Sequence, residues 1–221
     1  MWEPILLSLR IASIATVFSF FFGVLLAYIL NRKQIPGKNI WETLITLPMI
    51  LPPSVTGYFL LMLLGKRGII GSTLIDLFGF KIIFTWYAAV IAASIVSLPL
   101  MYQNAKAAFM NIDPAYERAA KTLGSSEFRI FCTITFPLAW PGIISGIVLS
   151  FCRAIGEFGA TLMVAGNIPG KTQTVPTAIY YAVENGNSDL ANTLVLIMTL
   201  FSFILIFSLN KWLEKRNYLG K

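Results

Sequence analysis

The amino-acid sequence predicts an all-α integral membrane protein with about five transmembrane helices and one cytoplasmic helix-glycine-helix loop. Three observations lead to this fold class. Hydrophobic residues make up 57% of the 221 positions and charged residues only 12%, whereas about a quarter of the residues in soluble domains are charged. The apolar residues form runs long enough to cross a bilayer. One long polar stretch, residues 117–137, separates two strongly apolar blocks. We treat residues 1–221 as a single transmembrane domain without an internal repeat.

The composition argues against several functional classes. The chain contains no His, which removes His metal ligands and His general bases. Cys132 lies in the polar stretch and Cys152 in an apolar run, so we expect neither a disulfide framework nor a thiolate metal site. The net charge of +7 does not indicate a nucleic-acid partner, because the basic residues lie in short loops beside apolar runs. We therefore expect membrane lipid around the chain, no metal, and no catalytic residues.

The first predicted span covers residues 5–30 and is long enough to cross roughly 30 Å of hydrocarbon. It is too long for the hydrophobic region of a secretory signal and lacks a small-residue cleavage site, so we expect it to be retained. Arg10, near its start, can reach the interface with its long side chain. The loop at 31–39 contains Arg32, Lys33 and Lys38 and is predicted to be cytoplasmic.

The second predicted span, residues 40–64, contains three prolines and must be kinked or broken. Backbone carbonyls released by a break need partners, so the break belongs inside the protein or beside a watery cavity. Two interpretations stay open: a packing kink, or part of a permeation path or gate. Small polar residues follow the break and favour the path slightly. The candidate path residues here are Pro52, Pro53, Ser54 and Thr56.

Residues 65–81 are predicted to form an outward-facing loop, with a short interfacial helix around 69–80. The third span follows at 82–102, with Trp86 and Tyr87 as interface anchors near its outer end. This span leads the chain into the polar stretch.

The polar stretch is predicted to form two helices around a glycine. Asp113 and Pro114 provide a helix start, and Glu117 lies in the first turn, where the helix dipole favours an acid. Gly124 can adopt the left-handed conformation that ends this helix. Ser125 or Ser126 can then cap a second short helix, which we expect to end before Pro137.

The fourth predicted span, residues 141–164, carries Arg153 and Glu157, the charged residues deep within an apolar segment. Four residues apart on a helix, they can pair. One interpretation is a neutralised structural pair. The other is that Arg153 supplies positive potential along an anion route, while Gly156 and Gly159 allow close helix contact. We favour the structural pair, because a partnered charge contributes little net field.

Residues 165–193 form the predicted outer loop, in which 176–183 are predicted to form either a short helix or a re-entrant segment. Residues 165–172 fit a relaxed phosphate-loop pattern, which we reject because they leave a membrane span instead of a strand. The fifth span is predicted at 190–212.

The distribution of basic residues predicts an outside N-terminus and an inside C-terminus in the cytoplasmic membrane. Eleven basic residues fall in the predicted cytoplasmic segments: Arg32, Lys33, Lys38, Lys106, Arg118, Lys121, Arg129, Lys211, Lys215, Arg216 and Lys221. Four fall in the predicted outer loops: Lys66, Arg67, Lys81 and Lys171.

The polar stretch resembles the cytoplasmic coupling loop of ABC-importer permeases, here about residues 103–137. In that family the loop has two alanines, a glycine four to five residues later, and a distal Ile-x-Leu-Pro. This sequence departs from the family pattern at two positions: Arg118 stands where the family usually has Glu, and Phe136 replaces Leu. The resemblance implies that this loop docks on an ATPase subunit. The residues it assigns to docking are Glu117, Arg118, Ala119, Ala120, Lys121, Gly124, Ile134 and Pro137.

Residues 47–58, 153–161 and 166–170 resemble the molybdate branch of the oxyanion ABC-importer permeases. The resemblance implies a type I importer architecture, a homodimer, two ATP-binding cassette subunits that carry ATP and Mg, and an extracytoplasmic oxyanion-binding protein. Molybdate, and also tungstate, is the implied cargo. A sulfate or other oxyanion permease and a passive channel stay open as alternatives.

Overall fold

The computed structural model describes residues 2–32 and 35–219, with side chains over 2–31 and 35–215. Four of the basic residues counted above as cytoplasmic are not fully described. Lys33 and Lys221 lie outside the described residues, and so do the side chains of Arg32 and Arg216. The described elements are α1 (Trp2–Arg32), α2 (Lys38–Ile50), α3 (Pro53–Leu64), α4 (Ile69–Phe78), α5 (Trp86–Met110), α6 (Pro114–Thr122), α7 (Glu127–Ile130), a π-helical turn (Phe131–Thr135), α8 (Phe136–Ile155), α9 (Gly159–Ala165), α10 (Val175–Glu184) and α11 (Ser188–Leu219).

Five segments of the described chain are long and apolar enough to cross a membrane, which confirms the predicted number of spans. They are Trp2–Asn31, Pro53–Phe78, Trp86–Met110, Glu127–Ile155 and Ser188–Lys215. The first and fifth agree with prediction, although α11 extends beyond the predicted end at 212. The other three differ in their bounds.

The second span is broken where the prolines predicted, but its position differs from the prediction at 40–64. Leu51 and Pro52 adopt extended backbone, and Pro53 occupies the first turn of α3, where a missing N–H costs nothing. The short helix predicted within the loop at 65–81 is observed as α4, but the candidate span combines α3 and α4, so residues 69–78 are not part of an outer loop as predicted. Gly68 and Gly71 lie against carbonyl groups at the C-terminal end of α3 with no room for a Cβ, which lets α4 start directly beside α3.

The third span begins at Trp86 and continues to Met110, beyond the predicted end at 102. It begins late because Phe84 has a φ of 63°, which interrupts the helix, and its N–H donates to the carbonyl of Val164 at 2.9 Å. It ends late because Phe109 is still buried in the core. Helix α5 lies at the centre of the fold, where α1, α2, α8 and α9 pack against it.

A layer of buried serines lies between two apolar clusters of the bundle. One cluster surrounds the first half of α5 and the other its second half. The hydroxyls of Ser19 and Ser97 lie 2.8 Å apart, and the hydroxyl of Ser150 donates to the Ser97 carbonyl at 3.2 Å. These bonds join α1, α5 and α8 where buried polar groups need partners.

The fourth span begins and ends earlier than predicted. Helix α7, the π-helical turn and α8 follow one another without a gap, so the second short helix does not end before Pro137. Pro137 lies in the first turn of α8, directly after the π-helical turn, where the changing hydrogen-bond pattern accommodates its missing N–H. At its other end α8 stops at Ile155, and α9 starts only at Gly159.

The outer segment contains the short helix predicted at 176–183, observed as α10. The N–H of Val175 donates to the hydroxyl of Ser8 on α1 at 2.8 Å, and Thr174 with Thr177 caps the helix start. The rejected phosphate-loop stretch follows α9 and closes on itself, since the N–H of Ile168 donates to the hydroxyl of Thr172 at 3.0 Å. The stretch follows a helix and not a strand, which is the context on which the rejection was based.

Candidate functional site

The elbow, which we define as residues 113–137, has the turn chemistry that the sequence predicted. The N–H of Ala115 donates to the Asp113 carboxylate at 2.8 Å, which caps α6. Gly124 has a φ of 78°, the left-handed conformation that ends the helix. The N–H of Arg129 donates to the hydroxyl of Ser126 at 3.4 Å, so of the two predicted caps it is Ser126 that caps α7.

Two side-chain contacts hold the arms of the elbow together. The hydroxyl of Thr135 donates to a carboxylate oxygen of Glu117 at 2.6 Å, and Thr135 is buried. Lys121 forms an ion pair with Glu127 across the turn. Glu117 and Lys121 therefore make contacts within the elbow that hold its two helices together. Thr135 is a residue that sequence reasoning missed, and no local pattern links positions 18 residues apart.

The outer surface of the elbow is partly apolar. Arg118, Ala119, Gly124 and Pro137 are exposed, while Ala120 and Ile134 are half-buried. Beyond these predicted positions, the side chains of Leu123 and Phe128 are 85% and 78% exposed, and Tyr116 is exposed as well. Large apolar side chains on a polar segment mark an interaction surface. A signal existed in the sequence, because these residues interrupt an otherwise polar run.

A second group of predicted residues comes together where two helices are broken. We call it the break cluster: Pro52, Pro53, Ser54, Thr56, Arg153, Glu157 and Gly159. Helix α3 packs against α9, and a Cβ added at Gly159 would lie 2.8 Å from the Cβ of Pro53 and 3.7 Å from the N of Ser54. The sequence predicted the break at Pro52 but not the one between Ile155 and Gly159, where it predicted a continuous span, and it gave no indication that the two breaks contact each other.

The charged pair of the break cluster is formed as predicted. A guanidinium nitrogen of Arg153 lies 2.7 Å from one carboxylate oxygen of Glu157. The other carboxylate oxygen accepts the N–H of Ala160 at 2.8 Å. Glu157 itself lies beyond the end of α8, so the pair spans a helix terminus instead of a continuous helix face. Because both carboxylate oxygens are occupied, the geometry supports the structural-pair interpretation.

The break cluster has an exposed end and a buried end. Pro52, Pro53 and Ser54 are exposed, whereas Thr56 is buried, and its hydroxyl has no hydrogen-bond partner among the described residues. The neighbouring Gly57 leaves no space against α9, where an added Cβ would lie 2.9 Å from the Cα of Ala160. Within the described part of the chain, no group of three or more His, Cys, Asp or Glu residues could hold a metal ion.

Comparison with known proteins gives a consistent result. Residues 19–217 match the family model described as "Binding-protein-dependent transport system inner membrane component". The chain is 45% identical over 206 residues to a protein of Bacillus subtilis described as "Putative molybdenum transport system permease protein YvgM", covering 93% of this chain and 91% of YvgM. It is 43% identical over 216 residues to the molybdenum transport system permease protein ModB of Escherichia coli, covering 97% and 93% of the two chains. The sulfate transport system permease protein CysT of Escherichia coli is 33% identical over 199 residues, covering 90% and 72%.

Solved structures show the same fold. An inward-facing structure of the MetNI methionine ABC transporter aligns with a TM-score of 0.74 at 14% identity, covering 97% of this chain and 95% of that chain. A bacterial alginate ABC transporter in complex with an alginate-bound periplasmic protein aligns with a TM-score of 0.74 at 19% identity, covering 95% and 76%. The all-helical architecture with five candidate spans is thus that of type I ABC-importer permeases.

Proposed function

We infer that this chain, which belongs to the family of binding-protein-dependent transport system inner membrane components, is the permease subunit of an ATP-driven ABC importer for molybdate. The choice of cargo rests on the relatives, because the two molybdenum permeases share 43% and 45% of their residues with the chain and the sulfate permease 33%. Tungstate has the same tetrahedral dianionic form as molybdate, and we include it as cargo. The membrane is the cytoplasmic membrane, with the N-terminus outside and the C-terminus inside.

The elbow is the observation that carries the proposal. It is held by two caps, the Glu117–Thr135 hydrogen bond and an ion pair, yet it presents exposed Leu123 and Phe128. A shaped, partly apolar surface of this kind suits docking of another protein. We propose that an ATP-binding cassette subunit docks here. ATP and Mg bind to that partner, and the permease is not itself an enzyme.

A second copy of the chain completes the translocation path. Many large apolar side chains on α1 and α11 are exposed in the single chain, among them Phe21 and Phe203. They contact lipid, a second copy, or both. A symmetric homodimer is the economical way for five spans to enclose a path. Two ATPase subunits then move the two elbows, and the spans rock between inward-open and outward-open states.

An extracytoplasmic oxyanion-binding protein delivers the cargo and makes most of the selection between oxyanions. One of the structural relatives is described in complex with a periplasmic protein. In the present chain the ordered outer segment, with α10 fastened to α1 through Val175 and Ser8, provides a surface for such a partner.

Uptake by the reconstituted complex tests this proposal. Proteoliposomes that contain the permease and its ATPase are given molybdate, with and without binding protein and ATP. Uptake should require both, and Leu123→Asp together with Phe128→Asp should abolish ATPase binding while the permease still inserts. Thr122→Asp, which adds the same charge at the last residue of α6 beside Leu123, serves as the control. Uptake that continues without ATP would identify a passive channel instead.

Sulfate is the second candidate cargo, because CysT shares the chain plan over most of its length. Competition distinguishes the two: unlabelled tungstate should inhibit molybdate uptake, whereas sulfate in the same concentration range should not. Equal inhibition by sulfate would indicate a permease of broader oxyanion specificity.

A further inference from the structure

The carboxylate of Glu157 occupies the position that an incoming anion would take beside Arg153. One oxygen lies 2.7 Å from the guanidinium, and the other accepts the N–H of Ala160 at 2.8 Å. The Glu157 side chain is only 2% exposed, whereas that of Arg153 is 31% exposed. Both oxygens of the buried carboxylate are therefore held in place, whereas part of the Arg153 side chain remains exposed.

An unpaired Arg at this place would be a strong oxyanion ligand. A guanidinium binds tetrahedral oxyanions through paired N–H donors, and the attraction increases where water is scarce. The hydroxyl of buried Thr56, on the face of the cluster formed by α3, has no hydrogen-bond partner among the described residues. It is a free hydroxyl donor on α3, the helix that packs against α9. The cluster thus has the groups of an anion site, but its cation is already neutralised.

Tight binding at such a place would hinder transport. An ion must enter a path readily and leave it again, so sites along a path have to be weak. An internal carboxylate serves this need, because it is always present and competes with any free anion for the same guanidinium.

We propose that Glu157 keeps the permease's own affinity for oxyanions low by holding Arg153 in an internal ion pair. The inference rests on the proposed function in two respects, namely that the cargo is an oxyanion and that the break cluster lies on its path. It goes beyond that function by assigning to Glu157 the control of binding strength in the path. The selection of the cargo then falls to the binding protein.

Equilibrium binding of radiolabelled molybdate to the purified permease–ATPase complex, without ATP or binding protein, tests the proposal. Wild type should bind weakly. Glu157→Gln and Glu157→Ser should lower the Kd at least about tenfold, equivalent to about 1.4 kcal/mol. Both variants keep an acceptor for the Ala160 N–H, so a loss of the helix cap alone does not predict this gain. The double change Arg153→Gln with Glu157→Gln should return binding to the wild-type level.

Two results would overturn the proposal: assembled Glu157→Gln and Glu157→Ser complexes that bind no more tightly than wild type, or a double variant that binds as tightly as Glu157→Gln. A measurement that leaves Glu157 in place guards against poor folding of these variants. In a chain with both native cysteines replaced, Ser54→Cys should react with anionic and cationic methanethiosulfonates in the same ratio as a free thiol. A preference for the anionic reagent of about tenfold would show an unneutralised Arg153 and would also refute the proposal.

The proposed function has its own independent readout. If the wild-type complex fails to take up molybdate with ATP and binding protein, the cargo assignment is wrong. The effect of Glu157 on molybdate binding would still be decided by the comparison of variants.

Discussion

Two glycines in one helix break should respond in opposite ways to the same substitution. Gly156 and Gly159 flank Glu157 between α8 and α9. A Cβ at Gly159 would lie 2.8 Å from the Cβ of Pro53, whereas a Cβ at Gly156 would meet nothing closer than the carbonyl oxygen of Cys152 at 3.5 Å. Carbon atoms pack at about 3.5–4.0 Å, so Gly159→Ala requires a displacement of about 1 Å. The Pro53 ring cannot rotate away, and α3 itself must shift.

The expected cost follows from that displacement. Overpacking of this kind costs about 1–3 kcal/mol, offset by up to about 1 kcal/mol because Ala favours helix more than Gly. Gly156→Ala meets only an ordinary contact and should gain a few tenths of a kcal/mol from the stiffer unfolded chain. The two variants should thus differ by about 1–2 kcal/mol.

Half-inactivation temperatures of the purified complexes, measured together with uptake, check this prediction. Gly159→Ala should lose both stability and uptake, because the shift of α3 displaces Ser54 and Thr56. Gly156→Ala should match wild type in uptake and be slightly more stable. A Gly159→Ala complex as stable and active as Gly156→Ala would refute the close contact between α3 and α9, and with it the assembly of the break cluster.

Three further predictions concern the elbow and the serine layer. Thr135→Val should destabilise the permease by about 1.5 kcal/mol, which is the lower end of the range for a hydrogen bond to a charged group. Thermal denaturation measures this loss of stability. A loss no larger than that caused by the control Thr133→Val would count against the hydrogen bond to Glu117. Gly124→Pro should uncouple ATP hydrolysis from uptake with membrane insertion intact, because proline cannot adopt a φ of 78°; normal coupling in this variant contradicts the role of the elbow. Ser97→Ala should cost about 0.6 kcal/mol in the same denaturation assay, typical of hydrogen bonds between membrane helices; no change would mean that Ser19 is equally satisfied by its other bond, to the Ser94 carbonyl at 3.2 Å.

The parts of the structure that depend on local chemistry could be predicted from the sequence. The break at Pro52, the left-handed Gly124 and the cap at Asp113 depend on residues within a few positions of each other, and each is present. The Arg153–Glu157 pair belongs to the same class, since four residues separate its members.

The parts that depend on distant contacts could not be predicted. The contact of Gly159 with Pro53 joins positions more than a hundred residues apart, and the Glu117–Thr135 bond crosses the elbow. The predicted bounds of three spans were wrong for a related reason. Hydropathy alone cannot show that Gly68 and Gly71 fold α4 directly beside α3, nor that a π-helical turn carries the chain past Pro137 without a break.

The continuity of the fourth span provides a physical link between the elbow and the break cluster. The helix from Glu127 to Ile155 contains 29 residues, which corresponds to about 43 Å at 1.5 Å per residue. Its first eleven residues, 127–137, belong to the elbow, and its last turn carries Arg153. Gly142 and Gly146 bring α8 against α5 so closely that an added Cβ would lie 2.6 Å from the Cβ of Ala108 and 3.0 Å from that of Asn104. Because such a contact resists sliding, α8 and α5 should move together when the elbow is displaced.

Helix α8 ends just before Glu157. The Arg153–Glu157 ion pair and the hydrogen bond from the Ala160 N–H to Glu157 connect α8 with α9 across the gap. A displacement of the elbow is therefore transmitted along α8 to Arg153, the residue on which the inferred control of affinity depends.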